Sequence, residues 1–280
     1  MNKHLTLLQH SVSRFIPVFI MAGIYCLGVH AQKTEPKYGN IDFNKVAPAN
    51  INDYLMLEGK TWKPVQQEHI NQGGLKGWFV FRVWFNGTGS DYNYVVMELY
   101  DNYDGMTFPY SDNIITKVHP GMNEAELMEK TLKARDIVRA QSVERLAMQR
   151  SGTVPYPGKY VTVYYFNVKP EDVAVYEKME KEVWEPVHKQ RIKDGLCVGW
   201  DLFKTVIPIG ESVPFNYMSM EWFNEFGAIT EIMQKDPLPV IQSTFPQKPA
   251  QEVFNSSLNL RTIYRKELWE LVEFLQAEPK

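Results

Sequence analysis

Residues 37–78 and 159–200 of this 280-residue chain align without a gap at an offset of 122. Tyr38/Tyr160, Pro48/Pro170, Tyr54/Tyr176, Glu58/Glu180, Trp62/Trp184, Pro64/Pro186, Val65/Val187, Gly73/Gly195, Gly77/Gly199 and Trp78/Trp200 are identical pairs. The match resumes at offset 123, with Asn93-Tyr94 over Asn216-Tyr217 and Met97-Glu98 over Met220-Glu221. A third block, at offset 126, sets Arg135-x-Ile137-x-Arg139 over Arg261-x-Ile263-x-Arg265. Rare Trp and Pro residues in the same order over such a length are not chance, and a chain that repeats itself at this period builds one unit twice.

The repeated unit has a readable order. Residues 38–46 and 159–168 read as strands, the second being rich in β-branched and aromatic residues. Pro48 and Pro170 suit the first turn of a helix, where a missing N–H costs nothing. Helices are expected over 49–72 and 171–194, stopped by Gly73 and Gly195. Strand pairs follow at 77–86 with 92–100, and at 199–207 with 215–223. Residues 123–141 read as a second helix, with a counterpart near 250–265, and short fourth strands are expected near 142–148 and 267–274. The order β-α-β-β-α-β is the ferredoxin-like unit. The expected class is therefore α+β, two tandem ferredoxin-like units, residues 32–150 and 151–280, packed sheet on sheet as a pseudo-dimeric α/β barrel. Residues 101–122 and 224–249, punctuated by Pro and Gly, read as insertions at the mouth of a site.

Residues 1–31 have the form of a secretory signal. Lys3, His4 and Arg14 precede an apolar run from Phe15 to Val29, and Val29-His30-Ala31 fits the small-x-small rule, which places cleavage after Ala31. The run is shorter than the roughly 20 residues a spanning helix needs. Export to the periplasm or the exterior, with no stable membrane span after cleavage, is the expectation; an uncleaved N-terminal anchor is the alternative reading. Removing Lys3 and Arg14 from 30 basic residues leaves 28 against 33 acidic, a net charge of −5. That balance excludes the basic footprint of a nucleic-acid binder. Cys197 alone remains after cleavage of a segment holding Cys26, so no internal disulfide forms. No H-x-x-x-H or H-E-x-x-H pair, G-x-S-x-G elbow or P-loop occurs, and neither a metal nor a nucleotide cofactor has support in the sequence.

The duplicated pattern, with its E-x-x-x-W-x-P-V helix, resembles the dimeric α/β-barrel superfamily in a tandem, exported form. That superfamily includes antibiotic-biosynthesis-type monooxygenases, haem-degrading enzymes, and EthD-like and NIPSNAP-like proteins. The resemblance implies a ligand-binding barrel with diverse activities. It brings no catalytic motif that transfers residue by residue.

One constellation stands out. On a helical wheel Val173, Tyr176, Val183, Trp184 and Val187 share a face with Glu180 at its centre; Ile51, Tyr54, Trp62 and Val65 surround Glu58 in the same way. A carboxylate on a core-facing stripe is costly unless paired or neutralised. Four residues past each Trp stand His188 and Gln66. Pro64 and Pro186 lie deep inside their helices and are expected to kink them, opening a pocket beside Glu and Trp, or to break each helix in two. Arg82 and Lys204, on the following strands, are the expected charge partners of Glu58 and Glu180. Two readings follow. In one, a small apolar or aromatic ligand binds between kinked helix and sheet, contacted by Trp184, Tyr176, Lys204, Tyr217, Glu58, Trp62 and Arg82. Cofactor-independent oxygenase-like or proton-transfer chemistry would then fall to Glu180 and His188. In the other, the glutamates are structural ion pairs, the Trp residues simply pack, His188 is a partly exposed helix residue, and the chain is a non-catalytic interaction module.

Overall fold

A proline in mid-helix strips one N–H and drives its ring against the carbonyl of the preceding turn. Both long helices of this chain answer with a π-turn. In the computed structural model, which describes residues 35–106, 113–152, 158–210 and 213–277, strand β1 (Tyr38–Lys45) enters a helix made of α1 (Ile51–Met56), a π-helical turn (Leu57–Trp62) and α2 (Lys63–Asn71). Across the π-turn the Lys63 N–H reaches back to the Glu58 carbonyl, five residues away. The wider ring makes room for Pro64, so the helix does not break in two. Gly73, at φ 84°, ends it in the left-handed conformation that costs glycine least.

The chain continues through β2 (Gly77–Val83), β3 (Tyr94–Tyr100), two short helices α3 (Tyr103–Met106) and α4 (Ile114–Val118), α5 (Glu124–Ala134) and β4 (Asp136–Arg150). The second half repeats the course: β5 (Tyr160–Asn167), α6 (Val173–Met179), a π-turn (Glu180–Trp184), α7 (Glu185–Lys193), β6 (Gly199–Ile207), β7 (Tyr217–Phe223), α8 (Phe226–Gln234), α9 (Leu238–Thr244), α10 (Ala250–Leu258) and β8 (Thr262–Gln276). The expected leader at residues 1–31 lies outside the described residues. Among the described residues, no helix is long and apolar enough to cross a membrane.

Two expectations need correction. The helix read over 123–141 stops at Ala134, because Arg135 is extended (φ −152°, ψ 156°) and a 15-residue strand begins at Asp136. Its counterpart stops at Leu258, before β8. Arg, Ala and Gln favour helix in isolation, but these segments pair along both edges, and sheet pairing overrides propensity. The fourth strands are therefore long, and this length changes the architecture. The sheets do not stack face to face. The halves have the same strand order, β4-β1-β3-β2 and β8-β5-β7-β6, and join edge to edge where β4 pairs with β6 and β8 pairs with β2, giving one closed eight-stranded antiparallel barrel. Alternate residues fill the interior, among them Phe43, Phe81, Val143, Tyr165, Met220 and Trp269. The helices cover the outside, with Trp78 and Trp200 fully buried beneath them. The insertions read as irregular carry α3 and α4 in one half and α8 and α9 in the other.

Candidate functional site

The π-turns sit where the repeated Glu and Trp lie, and each Glu is buried against the barrel: Glu58 is 3% exposed and Glu180 1%. Their partners are not the ones expected. Arg82 pairs with Glu270, which also accepts from Trp84 Nε1 at 3.0 Å. Lys204 donates to Glu177 at 2.7 Å, and the Tyr217 hydroxyl donates to the same carboxylate oxygen. Strand β6 runs beneath the turn that carries Glu177, so Lys204 meets that residue before it can reach Glu180. The cations that do reach are the arginines between the last helix and last strand of each half. Arg261 Nη1 bonds Glu180 directly. Arg135 Nε stands 3.7 Å from Glu58 and gives its Nη1 to Asn44 at 2.7 Å. These two arginines are the first residues of the third aligned block, so the repeat itself holds the signal that the strand pattern missed.

Beyond this shared pair the halves diverge. In the second half a cavity of about 740 Å³ opens between α7, the barrel and the α8–α9 insertion. Trp184, Val187, Phe166, Ile232, Val240 and Phe254 supply apolar wall; Glu180, Arg261, His188, Arg191 and Glu221 line it too, as do Lys235, Asp236 and Lys266. The cavity gathers Glu180, Trp184 and His188 and leaves out Tyr176, Lys204 and Tyr217. Tyr176 packs edge-on to Tyr217 in the core below. Glu58, Trp62 and Arg82 lie in the other half, where Arg82 is half exposed on the surface.

His188 is not a partly exposed surface residue. It is 6% exposed, stacks on Trp200 at 4.6 Å with 12° between the planes, and turns Nδ1 to within 3.2 Å of Glu221 Oε1. Arg191, one helical turn on, bonds the same oxygen. Burial alone would raise the Glu221 carboxyl, but Arg191 and His188 outweigh it and hold it at about 2. Burial drives His188 down to about 4 against the pull of Glu221. At neutral pH the imidazole is therefore neutral; the Glu221 carboxylate facing Nδ1 favours the tautomer with the proton there, although the two do not meet in hydrogen-bond geometry. Glu180 is raised by burial, with Arg261 opposing. The Trp184 indole N–H and Arg261 Nε are buried with no hydrogen-bond partner.

In the first half the same positions are packed, among the described residues. Trp62 Nε1 donates to Thr131 Oγ1 at 3.0 Å. Ile114 and Ile115 of α4 pack with Val65 and Trp62 over the place where the cavity lies in the other half. Gln66, in the position of His188, donates to Glu98 at 3.1 Å, and the Tyr100 hydroxyl donates to Glu98 at 2.7 Å. These donors are neutral, so burial wins and Glu98 is raised, opposite to Glu221. Burial likewise lifts Glu58 to about 7 despite Arg135. His69 is buried, and His119, just past α4, has Nε2 3.0 Å from the Thr61 carbonyl. The residues that sequence reasoning missed, Arg261, Arg191 and Glu221, were visible as conserved charge within the repeat (Arg135/Arg261, Glu98/Glu221) or as a change of type (His69 to Arg191).

No protein-family model and no curated protein matches the chain. Solved structures do match in fold. A presumed monooxygenase from Lactobacillus acidophilus is similar with a TM-score of 0.52 and 8% identity, over 87% of this chain and 97% of that one. A presumed monooxygenase from Fusobacterium nucleatum is similar with a TM-score of 0.53 and 12% identity, over 88% and 96%. An anthrone oxidase-like protein is similar with a TM-score of 0.51 and 11% identity, over 88% and 95%. The chain thus shares the fold of these three proteins.

Proposed function

We propose that this is an exported protein of two tandem ferredoxin-like repeats whose second repeat binds one small aromatic or apolar ligand in the cavity beside Glu180, Trp184 and His188. The observation that carries the reading is that cavity, lined by apolar side chains and by a few charged ones, set against a first half in which, among the described residues, the same place is packed. Apolar area taken from water supplies the affinity, at roughly 25 cal/mol per Å². The unpartnered Trp184 and Arg261 donors orient the ligand, since a buried donor gains most from the one acceptor within reach. His188, neutral and facing Glu221, offers a ring nitrogen that can accept a hydrogen bond or a proton from a bound O–H acid, as a weaker base than a free imidazole because burial lowers it to about 4. Glu180, tied to Arg261, holds the arginine in place. Proton abstraction of this kind is the opening step of cofactor-independent oxygenase-like chemistry, and the shared fold with presumed monooxygenases supports that direction.

The test uses N-phenyl-1-naphthylamine, a neutral fluorescent aromatic, titrated into the purified protein. The expected result is saturable binding of one probe per chain, abolished in Val240→Trp, which fills the cavity from α9. Absence of saturable binding, or two equivalent probes per chain, overturns the reading. Mass spectrometry of small molecules released from protein purified from its native source then identifies the occupant. N-terminal sequencing of the exported protein is expected to begin at Gln32.

A further inference from the structure

Strand β4 places Arg139, Gln141 and Val143 on one face, pointing into the barrel, and β8 places Arg265, Glu267 and Trp269 in the equivalent positions. Both strands carry a bulge beside the arginine, opposite Phe43/Asn44 and Tyr165/Phe166. Bulges at barrel rims re-aim side chains, and here both guanidinium groups converge on one ring. Arg139 lies 5.5 Å and Arg265 5.4 Å from the centroid of Tyr92. Two cations thus share one end of the barrel with the Glu267 carboxylate.

That carboxylate is already committed. Glu267 takes Arg265 Nε at 2.7 Å, the Tyr92 hydroxyl at 2.8 and 2.9 Å, the Tyr165 hydroxyl at 3.0 Å and Trp269 Nε1 at 2.9 Å. Its lone pairs are spent, so it offers nothing to Arg139. In the β4 copy the acid is replaced by Gln141, and the balance fails. Arg139 has no ion pair or hydrogen bond among the described residues. It rests on aromatic faces alone, 3.9 Å from the Phe43 centroid and 5.0 Å from that of Phe215, and its Nε is buried without an acceptor. Gln141 is 4% exposed, and its Nε2 is also buried without an acceptor. A guanidinium and an amide on one strand face, both with buried donors lacking an acceptor, call for oxygen acceptors carrying negative charge.

We propose that this end of the barrel is a binding site for a small oxyanion, a carboxylate or an inorganic phosphate or sulfate, held by Arg139 and Gln141 inside the cage of Phe43, Tyr92 and Phe215. It is separate from the cavity between α7 and the barrel and does not depend on what that cavity binds. The bound anion takes the place that Glu267 holds beside Arg265.

The full-length mature protein is melted in a non-coordinating buffer at constant ionic strength, with acetate or phosphate replacing part of the background salt. The expected result is a saturable rise in Tm, roughly 3–5 °C at ten times Kd. The ranking of acetate against phosphate tells a carboxylate site from a phosphate site. Gln141→Glu supplies the chain's own carboxylate to Arg139, as Glu267 does for Arg265. It is expected to melt no lower than the wild type in the absence of anion and to lose the saturable rise. Arg139→Gln, where it folds, also loses it. A rise that is linear in concentration and persists in Gln141→Glu is general salt stabilisation by an adventitious ion only. That outcome, or no rise with either anion, overturns the proposal.

Discussion

The two halves of the barrel share a glutamate in a π-turn, an arginine facing it and a tryptophan four residues on; beside them a cavity opens in the second half, whereas apolar side chains pack there in the first, among the described residues. The difference comes down to a few positions. Thr131 satisfies the Trp62 indole, whereas its aligned residue, Ser257, spends its hydroxyl on the Phe254 carbonyl and leaves Trp184 unpartnered. Helix α4 lays Ile114 and Ile115 on the first site, while the longer α8–α9 insertion stands back and lines the second. Neutral Gln66 and Tyr100 hold Glu98, while Arg191 and His188 hold Glu221. A framework built twice lets one copy keep the packing and the other give up packing for a ligand.

The sharpest way to break this comparison is to remove each arginine. Arg261→Leu strands the Glu180 carboxylate and is expected to cost about 3–5 kcal/mol, the usual penalty for breaking a buried pair. Arg135→Leu should cost about 1–2 kcal/mol, since its contact with Glu58 is longer and Glu58 holds a proton near neutral pH. Urea unfolding at pH 6.5 measures both; equal costs would mean that the two pairs are equivalent.

The second test is pH. Glu58 binds its proton more tightly folded than unfolded, because its folded value of about 7 lies above the ordinary 4.5. Its contribution to stability is thus full in acid and falls as pH rises from about 4.5 to 7, by about 3 kcal/mol. His188 and Glu221 act in the other direction. Both are lowered, so their contributions are present above about pH 6.5 and 4.5 and are lost as pH falls toward 4 and 2. Unfolding free energy followed from pH 3 to 8 should rise more steeply with pH in Glu58→Gln than in the wild type, and less steeply between pH 4 and 6.5 in His188→Gln. Parallel curves would remove the asymmetry.

A smaller effect is expected at the indoles. Thr131→Val leaves Trp62 Nε1 unpaired and should cost about 1–2 kcal/mol, whereas Ser257→Ala removes only a bond within α10 and should cost about 0.5 kcal/mol. Thermal melts of the two variants check the order. The finest distinction is in binding. Trp184→Phe is expected to weaken the naphthylamine probe several-fold through lost wall contact, and Trp62→Phe to leave its affinity unchanged.

Much of this was legible in the residues. The repeat fixed the order of elements, the wheel placed Glu58 and Glu180 on the buried face, and the proline positions marked the disturbed turns. The closed ring was not legible, because the pairing of β4 with β6 and of β8 with β2 joins segments whose own propensities favour helix. The Glu–Arg pairs were missed for a related reason: Arg135 and Arg261 were placed inside a helix that in fact ends before them. The cavity depends on the α8–α9 insertion, whose counterpart in the first half, α3–α4, differs from it in sequence and length and gives no pattern from which to infer it.

The seam between β2 and β8 has one more consequence. It pairs Gly77 with Gln276, and Val83 with Trp269, so the ring closes only when the last strand of the chain arrives. Contacts so distant in sequence are slow to form, because the intervening chain must be drawn together before the contact repays it. Until then β2 and β5 each present a bare edge, open to another chain. A chain cut before Thr262 would keep both edges exposed for good, and its hazard would be aggregation before any loss of ligand.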